Sequence, residues 1–383
     1  MNAVVTTESL PMFVPYLGPS VLEAIGRTLE IGYLGLGPLT REFEVSVGQW
    51  LGLAEPRSLM ATNSGTAALH LATLLSGARP GTEIICPAFT YVAAHQAVAQ
   101  SGADVVFCDV NELDLCADPA RVAELITHRT VAIMVCHYAG HVAEMQPIYD
   151  LAADHGLRVI EDAAHAFGSV HPDGTKVGAR GDLVCFSFGQ VKTITTLDGG
   201  AIVTGRADER GPLQEYRVLG VDKDLPSRYR SERFWEYDVV RQGYRYHLSS
   251  VPAAVGLAQL AMADNFIENR RRYCKRYDDS FRHLPGVSVL GFDWGMIGPF
   301  IYPLRVATNQ RSQVITHLKG LGVPSGLHWG MGGHEFTFFR SSRRGPLPNT
   351  DRVTREIITL PLWSFMPDDV VERIIDSFMS FSM

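Results

Sequence analysis

The chain has 383 residues, 46% of them hydrophobic and 20% charged, which suits a folded protein with a large core and excludes a disordered one. Its 34 basic and 41 acidic side chains leave a formal charge of −7, arguing against nucleic acid or an anionic membrane as the main partner. The length exceeds one ordinary domain, so two are expected.

No basic region followed by an apolar core opens the chain, so no secretory signal is expected, and no apolar run reaches the ~18 residues of a membrane span. Cys86, Cys108, Cys116, Cys136, Cys185 and Cys274 lack CxxC spacing and fall mostly in apolar, strand-like runs. Buried reduced thiols in the cytoplasm are the expectation, with no metal site. Arg270-Arg271-Arg272 reads as a solvated helix face.

In chain order, an N-terminal arm over 1–20 precedes a helix over 21–31, ended by the Gly-rich bend 32–38. A second amphipathic helix starts near Thr40, with Phe43, Val47 and Leu51 on one face. Gly35-x-Gly37 is not a dinucleotide fingerprint, because no strand precedes it and the third glycine is missing. From residue 58 strands and helices alternate: a helix opens near Thr66, strands follow over 83–86, 104–109, 131–136 and 158–161, and helices over 91–100, 120–126 and 145–155. Apolar strands spaced by helices predict a mostly parallel sheet covered on both faces. Pro172-Asp173-Gly174 predicts a hairpin, and strands over 183–188 and 201–203 flank a loop carrying Lys192. Residues 206–247 show no period and read as surface loops. Helical period returns over 250–266 and continues as a long helix over 267–283. Strands near 287–290 and 300–306 and helices over 310–321 and 367–381 complete an α+β lobe. The expected fold class is α/β, with a large domain over 1–250 built on a seven-stranded type of sheet and a smaller C-terminal α+β domain over 251–383.

Four motifs carry chemistry. Asn63-Ser64-Gly65-Thr66-Ala67-Ala68-Leu69 is a small-residue turn opening a helix, whose free N–H groups and Thr66 hydroxyl suit a phosphate dianion; a plain Ser64 cap is the other reading. Pro87-Ala88-Phe89-Thr90-Tyr91 follows a strand end, where ligands bind in open α/β sheets. Tyr91 is the candidate for covering a flat cofactor and Phe89 for the core, with core packing of both as the alternative. Asp162-Ala163-Ala164-His165 ends another strand: Asp162 is placed to pair with a pyridinium nitrogen, and His165 to touch the same ring, unless Asp162 merely caps a helix. Lys192, in Phe186-Ser187-Phe188-Gly189-Gln190-Val191-Lys192, is a lone lysine between two apolar strands. Burial would lower its pKa and suit it to Schiff-base formation and proton transfer, whereas a solvated loop lysine would do neither. Ser187 adds a hydroxyl beside the phosphate turn. A lysine paired with an upstream strand-end aspartate is an arrangement that holds pyridoxal 5′-phosphate.

With these motifs the chain resembles the DegT/DnrJ/EryC1/StrS aminotransferases, the sugar aminotransferases of fold type I. Gly37-Pro38, Phe43-Glu44, the runs 64–69, 87–93, 160–166 and 186–192, Gly181-Asp182 and Gly199-Gly200 carry the resemblance, which covers nearly the whole chain. It implies a homodimer with shared active sites, glutamate as amino donor and a keto group on a nucleotide-linked sugar as acceptor. By position, Lys192 would be the Schiff-base lysine and Asp162 the pyridine partner. Gly65, Thr66 and Ser187 would hold phosphate, Tyr91 would stack, and His165 would neighbour the ring oxygen. The family's Gly-Glu-Gly-Gly is here Leu197-Asp198-Gly199-Gly200, one glycine short. Arg245 stands where relatives carry an asparagine that reaches the partner subunit's phosphate. Dehydratase relatives replace the lysine by histidine; keeping Lys192 favours amino transfer. His328 and His334 fall in a histidine-containing substrate loop of relatives, and their spacing does not suit a metal pair. Tyr33 is a further candidate for gripping the nucleotide. The expected acceptor is a dTDP-4-keto-6-deoxy sugar, then a 3-keto sugar, then a keto-cyclitol. A sugar dehydratase and a non-catalytic cofactor-binding protein are the competing readings.

Overall fold

A computed structural model describes residues 9–222 and 236–381. Residues 1–8 of the expected arm and 223–235 of the expected loop region lie outside the described residues. Helices α1 (Pro19–Ile31) and α2 (Pro38–Leu51) share one sequence logic: a proline at the first turn, after an extended glycine, and a left-handed glycine at the end, Gly32 at φ 75° and Gly52 at φ 77°. Proline's missing N–H is harmless at a helix start, and glycine takes a positive φ without a Cβ clash.

Seven strands follow: β1 (Ser58–Thr62), β2 (Glu83–Pro87), β3 (Asp104–Cys108), β4 (Thr130–Cys136), β5 (Arg158–Asp162), β6 (Leu183–Ser187) and β7 (Gly200–Thr204). They form one sheet in the order β1-β7-β6-β5-β4-β2-β3. All pairings are parallel except those of β7, which runs antiparallel to β1 and β6. Helices α3 (Gly65–Leu75), α4 (Val92–Gln100), α5 (Pro119–Ala123) and α6 (Met145–His155) connect the strands. Covered on both faces, β2 is buried at every residue and β4 and β5 at nearly every one, as parallel strands generally are.

The topology brings chemistry to one edge. Cys136 pairs with Asp162 in register, Ser187 with Gly200, and Gly200 with Thr62. The carboxyl ends of β1, β4, β5 and β6 and the start of β7 therefore share a rim, where ligands of open α/β sheets bind. A second, antiparallel sheet joins β8 (Val287–Val289), β9 (Tyr302–Val306) and β10 (Ile357–Leu360) in the order β10-β9-β8.

Several expectations change. The hairpin at Pro172 shrinks to a single bridge between Val170 and Lys176. Within 206–247 a helix forms, α7 (Arg210–Arg217), which buries Leu213 and Arg217; Arg217 pairs with buried Glu44, so a charge contact supplies the inward face that apolar period did not show. The long helix breaks into α8 (Ser250–Leu260) and α9 (Ala263–Phe281). After α10 (Arg311–Gly320), a further helix, α11 (Pro348–Glu356), leads into β10, and α12 (Asp368–Met379) closes the chain. All six cysteines are buried and free. Among the described residues no helix is long and apolar enough to cross a membrane, and no His, Cys, Asp or Glu cluster is arranged to hold a metal ion.

Candidate active site

The loop between β6 and β7 is a closed turn that leaves Lys192 at the rim. Phe188 N–H donates to the Gly199 carbonyl at 2.8 Å, Thr196 N–H to Phe188 at 2.9 Å and Lys192 N–H to Gly189 at 3.1 Å. One cavity of about 150 Å³ collects Ser64, Gly65, Thr66, Tyr91, Cys136, Asp162, His165, Ser187 and Lys192, with Thr90, Asp198 and Trp329. Eight of the sequence candidates thus meet: Lys192, Asp162, Gly65, Thr66, Tyr91, His165 and Ser187 line it, and His328 faces Lys192 from an adjoining cavity of about 570 Å³. The two cavities share Tyr91, Lys192, Asp198 and Trp329.

Electrostatics separate the groups. Burial pushes the Lys192 ammonium down from 10.5 to about 8, against the opposing pull of Asp162 and Cys136. Burial raises Asp162 above the usual carboxylate range, while the Ala164 N–H, donating to Oδ1 at 3.1 Å, and the Lys192 charge draw it back. His165 is held well below its ordinary value by burial and by Lys192, and His328 is held to about 4 for the same two reasons. Both rings are therefore neutral near pH 7. Behind Asp162, the fully buried Glu161 takes hydrogen bonds from Tyr149 (2.6 Å) and His137 Nε2 (3.0 Å), and the Asp162 carbonyl accepts from His137 N–H at 3.1 Å. This network ties the ends of β4 and β5 together beneath the cavity.

The residues fit a phosphorylated pyridine ring. At the start of α3, a Cβ on Gly65 would meet Ser187 Cβ at 2.8 Å, and one on Gly200 would meet Gly65 N at 2.6 Å, so glycine alone leaves the cradle open. Ser64 caps the helix through Ala67 N–H at 3.1 Å; the cap and the open N-terminal N–H groups coexist, since one side chain satisfies only one of several free donors. His165 Nδ1 is buried without a partner among the described residues, and such an orphan calls for a ligand or water. Tyr91 is 57% exposed, its ring 5.4 Å from Trp329, whereas Phe89 is fully buried against Tyr138. A flat ring has a wall to lie on.

Other candidates lie elsewhere. His334 pairs with Asp351 at 3.2 Å and packs beside Phe107, outside both cavities around Lys192. It lies six positions after His328, and the turn at Gly333–Glu335 carries it to Phe107 of β3. Tyr33, whose hydroxyl donates to the Leu36 carbonyl at 2.9 Å, and exposed Arg245 line a different cleft. Phe300, Trp329 and Asp198 complete the surroundings of Lys192. Asp198 was within reach of sequence reasoning through its place beside the lysine loop; Phe300 carried no local signal. Leu197, at the position where the resemblance expects glycine, takes φ 72°, a conformation that costs a residue with a Cβ roughly 1–2 kcal/mol.

The sequence model of the DegT/DnrJ/EryC1/StrS aminotransferase family matches residues 15–379. A dTDP-4-dehydro-2,3,6-trideoxy-D-glucose 4-aminotransferase of Saccharopolyspora spinosa is 32% identical over 369 residues, 95% of this chain and 94% of that one. The aminotransferase TlmJ of Streptoalloteichus hindustanus superposes with a TM-score of 0.89 at 28% identity, over 97% of this chain and 98% of the other. A putative sugar aminotransferase of Streptococcus pneumoniae, Spr1654 in its PMP form, gives a TM-score of 0.90 at 25% identity, with the same coverage.

Proposed function

The chain belongs to the DegT/DnrJ/EryC1/StrS aminotransferase family, whose members are pyridoxal-phosphate-dependent sugar aminotransferases, and on that premise we propose that it moves an amino group from glutamate to the 4-keto group of a dTDP-linked 6-deoxy sugar. The observation that carries this reading is the meeting of Lys192 and Asp162 in one cavity with the glycine cradle at Gly65. The 4-aminotransferase of S. spinosa, similar over nearly the full chain, supports the choice of acceptor.

When bound, pyridoxal phosphate supplies an aldehyde that accepts the amino group and a ring that spreads carbanion charge. Gly65 and Thr66 N–H groups, with the Ser187 hydroxyl, would hold the phosphate at the start of α3. Asp162 keeps a proton on the ring nitrogen through charge. Tyr91 would cover the cofactor's ring, and His165, neutral and with a free Nδ1, would be placed to touch it. Lys192 would hold the cofactor's aldehyde carbon, and its buried amine, lowered by burial, would be the group able to take up and return a proton beside it. His328 and Trp329 border the path by which the sugar would enter; Tyr33 shares the other cleft with Arg245, so it would meet the nucleotide only across a homodimer interface. Arg245 works across a homodimer interface, with its charge directed to the partner's phosphate. His334 is not in this set, since it is occupied by Asp351.

The test incubates the pyridoxamine form with dTDP-4-keto-6-deoxyglucose and, separately, with a 3-keto sugar and a keto-cyclitol, and reads products by mass spectrometry. Conversion of the first with regeneration of the aldehyde form is expected. Water loss from the sugar without any amino donor would sink the transfer reading.

A further inference from the structure

One group around Lys192 has no part in the scheme above. The Phe300 ring, 3% exposed, lies 3.9 Å from Lys192 Nζ and 4.4 Å from the His165 ring. It belongs to the segment entering β9, more than a hundred residues from the lysine. Two contacts fix it. Phe13 stacks on it at 5.7 Å with the planes 2° apart. The Arg270 guanidinium, on α9, is only 2% exposed, so the run 270–272 is not the solvated face its charge suggested. The guanidinium donates to the Phe300 carbonyl at 3.1 Å, to Pro299 at 3.4 Å and to Ser364 Oγ at 3.0 Å. Among the described residues no carboxylate pairs with Arg270. A buried cation without a counter-ion is costly, and this one is aimed at the two carbonyls that set the Phe300 backbone.

We propose that Phe300, held by Arg270, is a positioning residue for the transfer: it walls water away from the Lys192 amine, so that the released amine works as a base near neutral pH. The inference rests on reading Lys192 as the reacting amine.

The sign of its effect is open to measurement because a ring over an amine acts in two ways. Its π face favours the ammonium, while the water it displaces would have favoured the ammonium more. The other groups facing Nζ are Asp162 from β5 and Cys136 from β4, which favour the charged form, and neutral His165 and His328, with Asp198 at the cavity mouth. The carboxylate alone would raise the lysine. Its lowering is a burial effect, and Phe300 is the ring in contact.

The experiment uses the full chain in its pyridoxamine-phosphate form, where the lysine amine is free. Trace labelling with acetic anhydride across about pH 6 to 11, followed by peptide mass mapping, reads Lys192 against the exposed Lys275 and Lys319. The wild-type inflection is expected below the ordinary lysine value of 10.5, in the direction that burial drives it. Phe300→Ala should move it upward by about one pH unit, and Phe300→Leu, which keeps apolar bulk, by less. Arg270→Lys, losing the fork onto two carbonyls, should move it in the same direction. In turnover, Phe300→Ala should lose roughly tenfold in kcat at pH 7 and regain it at higher pH with KM little changed. Where truncation unfolds the chain, Phe300→Gln keeps more of the volume than alanine does while admitting a polar group, and the same upward shift is expected. An inflection that stays put or falls in a folded variant overturns the proposal. Labelling reads the proton on Lys192 whatever the lysine does, so a Lys192→Ala protein that still turns over would refute the functional reading and leave this measurement intact.

Discussion

Gly65→Ala isolates the cradle at the start of α3 with a single methyl group. The added Cβ would sit 2.8 Å from Ser187 Cβ, 3.1 Å from Ser187 Oγ and 3.2 Å from Ser187 Cα. Ordinary carbon contacts lie near ~3.5–4.0 Å, so the overlap is close to an ångström and includes backbone of β6. Rotating the serine side chain cannot clear it; the strand end or the helix start must move. Overpacking of this kind costs about 1–3 kcal/mol, partly as lost stability and partly as misplaced N–H groups. If it falls on the phosphate site, cofactor affinity drops by roughly 5- to 150-fold. A control comes from α1, where a Cβ on Gly26 meets nothing within 4 Å; Gly26→Ala should stabilise by about 0.5–1 kcal/mol through helix propensity and leave binding untouched. Melting curves and cofactor titration, monitored by visible absorbance, measure both variants. Gly65→Ala matching wild type in both assays would refute the assignment of this turn as the phosphate cradle.

Lys192→Ala should abolish the visible band that borohydride removes from the wild type and lower transfer by at least ~10²–10⁴-fold, checked by spectrum and by product mass. Asp162→Asn keeps the shape but loses the charge; a fall of ~10²-fold or more in kcat is expected, with cofactor still bound, and unchanged kcat would count against the pairing with the ring nitrogen. Leu197→Gly relieves a left-handed residue at the cost of glycine's chain entropy, so a gain of up to about 1 kcal/mol is expected; clear destabilisation in urea melts would show that the Leu197 side chain packs rather than strains. For pH, the folded state binds fewer protons than the unfolded one wherever its pKa is lowered. Lys192 should therefore oppose folding fully below about pH 8 and release that cost between about 8 and 10.5. His95 and His328, both held to about 4, should remove stability as pH falls from about 6.5. Urea midpoints across pH should show both slopes.

The parts of this protein written in short stretches of sequence were legible in it. The stripe of Phe43, Val47 and Leu51 marks α2, Ser64 caps α3, and the apolar runs ending in Cys136, Asp162 and Ser187 are strands whose ends meet at one rim. Those signals are local: an apolar stripe, a cap, a strand end. Helix α7 had weak apolar period because its inward face carries Arg217, and a charge reads as surface until its partner Glu44 is known. Strand β10 was missed because four residues make too short a run to separate from a helix end.

What only the tertiary structure decided is which distant residues share a space. Phe300 against Lys192, Arg270 behind Phe300, His137 against Glu161, and His334 turned to Asp351 are all contacts between segments far apart in the chain. Sequence alone determined that an aspartate ends one strand and that a lysine stands in the loop between two later ones. Packing determined how dry that lysine is, and dryness sets the pH at which its amine is free: solvation depends on every atom within a few ångströms, and no local pattern records them.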